Sequence, residues 1–535
     1  MSDGGDHMSG RGDHAPDHGA QVSDQGSIGP LGAVELLRTR EVRGVSIETI
    51  ADGAVAARLG ASELEPVTRV LTRAGVRPAD LFATPSQEGV TLRVVFADDR
   101  DGTYVVTESP VAGTEYPELS GVAPSLFVEE CEVFEQFGLL PAGSRSLNRV
   151  LMAPRGEADF PLVTGERSVR PRDVRAPHFV RGEAIEFPFG PVRAVGWESL
   201  YMGLVTTGEE ILDLYLFHWH KHRGIERRLR GLTPERALFF VERIEGLSAV
   251  ANAIAYCRAL EAATGVSVPS AAALTRGVAL ELERIYNHAA AIAALCQATG
   301  LSVGQANAEI VLEELLRLNL DAFGHRYLFD VVAVGGVRRA PDHAAVRTRL
   351  PALCADLRRV IDALLSTNSF VDRLEACGIV TVDAALRLGL VGPVARGCGV
   401  EVDCRLDHPW APLDVVAPTV PVGERGDALA RMEVFVVEIE ESERLIEELI
   451  DDAGDGVTAL DAGRGVGLGW AESSRGESLA WVALDPDGRI AWARVRPASV
   501  RNWRAFDDAA RAQNVFTDIS IIEASFWLTA AGFAR

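Results

Sequence analysis

The most constraining stretch of this chain runs from Phe217 through His218-Trp219-His220-Lys221-His222-Arg223-Gly224-Ile225 to Glu226. It closes an extended, alternating run and turns at Gly224 into a helical pattern. A cation, a glycine and a carboxylate therefore meet at an element junction, where scaffolds often hold reactive groups. About one helix later comes Arg243-Ile244-Glu245-Gly246-Leu247-Ser248. Before the junction the pattern is β-like, with alternating strands over 199–206 and 210–218. After it, from 233 to 452, helical periodicity dominates. The spacing predicts helices over 236–264 (behind a Thr233 N-cap with Pro234 at the first helical position), 271–299, 304–323, 343–368 and 426–451. Long helices with short connections make a bundle core. On the last of them Glu438, Glu440, Glu441 and Glu443 read as a solvated face. The stretch 465–490 turns β-like again, with Pro486-Asp487-Gly488 as a hairpin turn.

A chain of 535 residues exceeds one ordinary core. Its net charge of −23 excludes a general nucleic-acid surface and a polybasic lipid anchor. No window carries the run of about 18 apolar residues that a membrane span needs. The polar first stretch lacks the apolar core of a secretory signal, so the expected compartment is the cytosol. The seven cysteines are scattered and odd in number, which suits reduced thiols, and no C-x-x-C occurs. An iron–sulfur cluster held by this chain alone is therefore not expected.

The reading divides the chain into a disordered tail over 1–28, a small α+β domain over 29–160, a linker over 161–185 and a large domain over 186–535. The tail carries His7, His14 and His18, which read as solvated. In the small domain, 46–59 and 61–74 read as amphipathic, helix-like segments. Val90–Phe96 and Thr103–Thr107 read as strands joined by the Asp98–Gly102 turn. The fold class expected is α+β: a small α+β domain, then a β section leading into a long-helix bundle.

Several motifs, in order, carry a family resemblance. The first two segments resemble the Arg-Gly-x-Glu and Arg-x-Cys-Gly-x-Cys signatures of the nickel-iron hydrogenase large subunit. Glu281-Leu282-Glu283-Arg284-Ile285-Tyr286-Asn287-His288 resembles the family's Glu-x-x-Arg-x-x-Asn-His helix. Gly335-Gly336-Val337-Arg338, Gly392-Pro393-Val394-Ala395-Arg396 with Asp403-Cys404-Arg405, and Asp518 to Phe526 match later motifs. Glu130 to Leu139 and Asn148 to Met152 resemble the small hydrophilic docking subunit of complex I, with Cys131 and Glu135 departing from its pattern. The resemblance covers about 90 to 535. It points to the family of the complex I quinone-site subunit and the group 4 nickel-iron hydrogenase large subunit, fused to a docking-subunit-like segment.

The same comparison shows what is missing. The positions of the four nickel-ligating cysteines hold Glu245, Ser248, Thr529 and Gly532. Nickel and iron take soft thiolates there, so the resemblance argues against hydrogen activation. The family's two quinone-contacting histidines fall on Arg193 and Trp197, which become the candidate acceptor-pocket residues. His222, Arg223 and Glu226 match the Arg-Gly-x-Glu region, and Glu226 falls where hydrogenases keep a proton-transfer glutamate. Its alternative is a salt-bridged junction. Arg243, Arg396, Asp403 and Arg405 are expected either to line the emptied cavity or to form buried pairs. His218, His220 and His222 would lie on one strand face, a weak zinc arrangement.

The resemblance implies an oxidoreductase subunit, peripheral on the inner face of the cell membrane. Its expected partners are an iron–sulfur small subunit and antiporter-like membrane subunits, and a quinone is its expected acceptor. The rival expectation is a non-catalytic assembly subunit. Nothing in the sequence indicates a nicotinamide site.

Overall fold

The computed structural model describes residues 32–38, 45–86, 89–144, 147, 149–152, 160, 162, 184–193, 198–460, 465–511 and 513–535. The expected tail over 1–28 and almost all of the expected linker lie outside these residues. From Gly32 to Arg535 the chain forms one compact unit.

The fold is α+β. Five strands near the N-terminus make a sheet in the order Ser46–Ala51, Ala54–Arg58, Thr103–Val111, Gly89–Asp98, Arg77–Ser86. The expected hairpin is present, with Asp98 paired to Thr103. Residues 46–59 depart from the helix-like reading. They form a hairpin, Ala51 paired with Ala54 around Asp52-Gly53, because a two-residue Asp-Gly connection between β-branched runs outweighs a short amphipathic pattern. The Phe127–Phe137 helix packs on this sheet, and Glu130 and Glu135 are buried in it rather than solvated.

A second sheet holds Tyr201–Thr206 between Ile185–Phe189 and Ile211–Phe217. It leads through Gly224, left-handed at φ 63°, into the Ile225–Leu229 helix. The strand ends at Phe217, and Trp219–Lys221 is a 3-10 turn. The side-chain period therefore changes from two to three, so the three histidines do not share a strand face. His218 is buried, stacked on Phe533, while His220 is exposed.

The helices follow as Ala249–Thr264, Ser270–Thr299, Ser302–Phe323, His343–Leu365 and Ala428–Leu449. The helix expected over 236–264 is broken. Pro234–Val241 ends before the signature, Glu245 is extended, and Gly246–Ser248 is a 3-10 turn. This break turns Glu245 and Ser248 inward.

The 30-residue Ser270–Thr299 helix is buried over most of its surface. Its Arg276, Glu281, Glu283, Arg284, Asn287 and His288 are all buried, and every one of them is hydrogen-bonded, as groups out of water must be. Glu438 likewise sits in the core, against the solvated-face reading, because Arg396, Arg284 and His288 reach it.

A last sheet, Val466–Ser473, Gly476–Leu484 and Ile490–Arg496, lies flat on the Ala249–Thr264 helix. A Cβ at Gly465, Gly467 or Gly469 would come within 1.8 to 2.2 Å of the carbonyl oxygens of Ala263, Ala259 and Ala255. Only glycine permits that approach. Ion pairs tie this sheet to the N-terminal part: Arg77 to Glu477 at 2.8 Å and Arg494 to Asp80 at 2.8 Å.

Candidate functional site

The four positions that the resemblance sets at the nickel ligands, Glu245, Ser248, Thr529 and Gly532, lie close together although the chain places them far apart. The Thr529 hydroxyl donates to Glu245 Oε2 at 2.5 Å, and the Gly532 amide donates to the same hydroxyl at 3.3 Å. A Cβ on Gly532 would sit 3.1 Å from Glu245 Oε2. Glu245 is buried, and its Oε1 has no hydrogen-bond partner among the described residues.

Ser248 completes the group through a residue that sequence reasoning missed. Arg475, at the tip of the Val466–Leu484 hairpin, donates to Ser248 Oγ at 3.0 Å, to Asn287 Oδ1 at 3.3 Å and to the Trp527 carbonyl. Burial lowers its affinity for its proton, while Glu245 and Glu283 act in the opposite sense. The available signal was a charged residue beside glycine in a tight turn between two apolar strands. Trp527 is held left-handed at φ 51° where the Ile519–Phe526 helix ends, an uncommon conformation for a bulky residue. Behind Arg475, Glu283 accepts from the Val250 and Ala251 amides at 2.7 and 3.1 Å, and burial pushes its carboxyl up to about 8 despite those bonds.

These residues do not fit a nickel-iron centre. One carboxylate, two hydroxyls and a glycine offer no thiolate, and the guanidinium of Arg475 occupies ground where a dication would be repelled.

A cavity of about 600 Å³ opens against this wall. Arg475, Trp527, Thr529, Glu198 and Glu523 line its polar end, and Leu247, Ala290, Ala294, Leu312 and Phe329 its apolar side. Arg193 stands behind the polar end. It holds Glu523 at 2.7 and 2.8 Å and the Glu198 carbonyl at 2.7 Å. Trp197 lies outside the described residues.

The other candidates are placed elsewhere. The side chain of Arg223 donates to the carbonyls of Arg243, Ile244, Ala531 and Ala534, clamping the signature loop to the C-terminal segment. Glu226 is in a buried ion cluster: Arg494 at 3.4 Å and Arg535 at 3.3 Å, which also bind Glu132 and, through Arg494, Asp80. His222 is half-buried, and burial lowers its pKa. Arg243 lies over the Phe239 and Phe329 rings at 3.8 and 4.7 Å and does not line this cavity; it faces a separate pocket with Glu242 and Asp330. Arg396, Asp403 and Arg405 do not line the cavity; they belong to a separate buried cluster with Glu281, Arg284, Glu438 and Glu472.

Fold and site together define a large subunit of hydrogenase type. Residues 223–296 match the family described as nickel-dependent hydrogenase, and residues 311–466 the 49-kDa subunit of respiratory-chain NADH dehydrogenase. The chain is 30% identical to the carbon monoxide-induced hydrogenase of Rhodospirillum rubrum over 51% of its own length and 76% of that relative. It is 25% identical to formate hydrogenlyase subunit 5 of Escherichia coli, covering 64% of this chain but 63% of the relative. A chain of the archaeal membrane-bound sulfane sulfur reductase complex shares the fold, with a TM-score of 0.61 and 23% identity over 66% of this chain and 99% of that one. The chain belongs to the family that unites the complex I 49-kDa subunit with the nickel-dependent hydrogenase large subunits.

Proposed function

We propose that this chain is the acceptor-site subunit of a membrane-associated, complex-I-like redox complex. Electrons arrive from an iron–sulfur cluster on a partner subunit and pass to a quinone or similar flat acceptor in the 600 Å³ cavity. Antiporter-like membrane partners couple this transfer to ion movement. The chain itself holds no nickel-iron centre and sits on the inner face of the membrane. Among its described residues, no helix is long and apolar enough to cross a bilayer.

The observation that carries this reading is what stands at the expected ligand positions. Where a metal would take electrons, the chain presents the buried Arg475 guanidinium to a largely apolar cavity, with Thr529 in the wall bonded to the buried Glu245 behind it. Such a pocket suits a planar ligand with carbonyl oxygens and an apolar tail. Arg475 supplies donors to a carbonyl that gains negative charge on reduction. Glu245 fixes the Thr529 hydroxyl in the cavity wall through one oxygen, and its other oxygen has no partner among the described residues.

The second reading, a non-catalytic assembly subunit, draws on Arg223 and Glu226. Their bonds to carbonyls and arginines make them structural clamps. Binding of a quinone analogue to the natively purified complex separates the two. Saturable binding that weakens in Glu245→Gln and Arg475→Lys supports the acceptor site. No binding, in a complex that still assembles, leaves the assembly role.

A further inference from the structure

A buried cluster outside the cavity has one more negative than positive charge. Arg284, Arg396 and Arg405 face Glu281, Asp403, Glu438 and Glu472, all out of contact with solvent. His288 joins it through Glu438 at 2.8 Å, and burial, the largest influence on its ring, disfavours the charged form. An uncompensated carboxylate in such a place is costly, and a bound proton removes the excess.

The hydrogen count shows where the proton belongs. Arg396 Nη1 has two hydrogens. Three oxygens lie within bonding distance of it: the Val402 carbonyl at 2.8 Å, Glu472 Oε1 at 3.0 Å and Asp403 Oδ2 at 3.1 Å. Asp403 has other donors. The Arg405 amide and Nε reach its Oδ1 at 2.9 and 3.0 Å, and Arg405 Nη2 reaches its Oδ2 at 2.7 Å. Glu438 takes Arg396 Nε at 3.0 Å and Nη2 at 2.6 Å. Glu281 takes both Arg284 and Arg405, and the Ser442 hydroxyl at 2.6 Å. Glu472 has its share of Nη1, the Cys404 amide at 3.2 Å and the weakly donating Cys404 thiol. It is the carboxylate with the weakest claim to stay ionised.

We propose that Glu472 is a buried proton-binding site: its carboxylate takes up one proton, which removes the excess negative charge of the cluster. Every element packed around it contributes to its setting. The Ser270–Thr299 helix brings Glu281, Arg284 and His288, and the Ala428–Leu449 helix brings Glu438. The 392–407 region brings Arg396, Asp403, Cys404, Arg405 and Asp407. Glu477 lies opposite on the paired strand, held by Arg77 and Arg496, and Arg258 reaches in from the Ala249–Thr264 helix to the Trp470 carbonyl. Burial, followed by the Asp403 charge, pushes Glu472 up to about 7 against the pull of the arginines, while Asp403 is held below its ordinary value.

The location gives the proton a consequence. Glu472 is three residues before Arg475, and Arg284 bonds the carbonyls of both Glu472 and Ser473 at 2.8 and 3.1 Å. A proton there adds positive charge beside the turn that delivers Arg475 to the cavity. Uptake in step with negative charge in the cavity rests on the acceptor-site reading; proton binding itself does not.

Infrared difference spectra of the purified full-length protein, without any acceptor, test the site between about pH 5 and about pH 9. Subtracting the Glu472→Gln spectra removes the contributions of Glu130, Glu135, Glu283 and Asp407, which burial also pushes up. The expected result is one protonated-carboxyl C=O band that titrates away near neutral pH in the native protein and is missing from Glu472→Gln. Asp403→Asn serves as the second variant. With the competing charge gone, the band should persist and its midpoint should fall by about one pH unit or more. A band absent from the native protein at low pH, a band retained in Glu472→Gln, or a midpoint unchanged in Asp403→Asn overturns the proposal.

Discussion

Thr529 donates a hydrogen bond to Glu245 across 284 positions of sequence, joining the C-terminal segment to the start of the helical region at one buried point. Both residues are ones that the sequence resemblance sets at the ligand positions of hydrogenases. A bridging metal holds such segments together by coordination. Here a hydroxyl–carboxylate bond, the Arg475–Ser248 bond and the Arg223 clamp on Ala531 and Ala534 do so.

Arg475→Lys should weaken binding of a quinone analogue at least tenfold, about 1.4 kcal/mol, because an ammonium cannot reproduce the planar fork that spans Ser248, Asn287 and the Trp527 carbonyl. Titration of the purified complex, followed by ligand fluorescence or calorimetry, checks this. Unchanged affinity would remove Arg475 from the site.

Glu132→Gln should destabilise the fold and leave analogue affinity unaltered. Glu132 holds Arg494 at 2.9 Å and Arg535 at 2.6 Å, all three buried. Removing the anion of a buried cluster costs about 3–5 kcal/mol, whereas Glu226→Gln, with contacts at 3.4 and 3.3 Å, should cost less. Thermal and urea unfolding of both variants gives the ranking. The reverse order would mean Glu226 is the keystone.

Stability should fall as pH rises from about 4.5 to about 7, partly through Glu130 and Glu135. Burial pushes each up to about 7 from an ordinary 4.5, against backbone amides that favour the ionised form. Below 4.5 both groups are protonated in folded and unfolded chains alike, and their stabilising effect is complete. Between 4.5 and 7 the unfolded chain ionises first, so the effect is lost as pH passes through the folded value. The Glu130→Gln/Glu135→Gln double variant should flatten this part of the urea-midpoint profile. An unchanged slope would show that both carboxyls ionise normally.

The complex purified through this chain should contain iron, carried by a partner, without stoichiometric nickel. Elemental analysis with partner identification in the same sample decides it. One nickel per chain would overturn the reading of Glu245, Ser248, Thr529 and Gly532.

Much of this protein was legible from local pattern and motif order. The α+β class, the Asp98–Thr103 hairpin, the helix after Thr233-Pro234 and the turn at Gly224 all depend on neighbours within a few residues. Motif order likewise singled out Glu245, Ser248, Thr529 and Gly532 as one group, because each motif is a contiguous run, and the structure brings Glu245, Thr529 and Gly532 together. What local pattern could not reveal was how a charge would be neutralised. Glu438 reads as a solvated helix residue until Arg396 and His288 arrive from elsewhere, and nothing near Glu130 and Glu135 in sequence shows that loops bring amides to them. Arg475 gave no motif of its own, yet packing placed it among Ser248, Asn287 and Trp527. Local structure follows from backbone preference and apolar spacing, which are properties of the sequence. The role of a buried ionisable group depends on the charges and hydrogen atoms that folding gathers around it, and only the tertiary structure decided those.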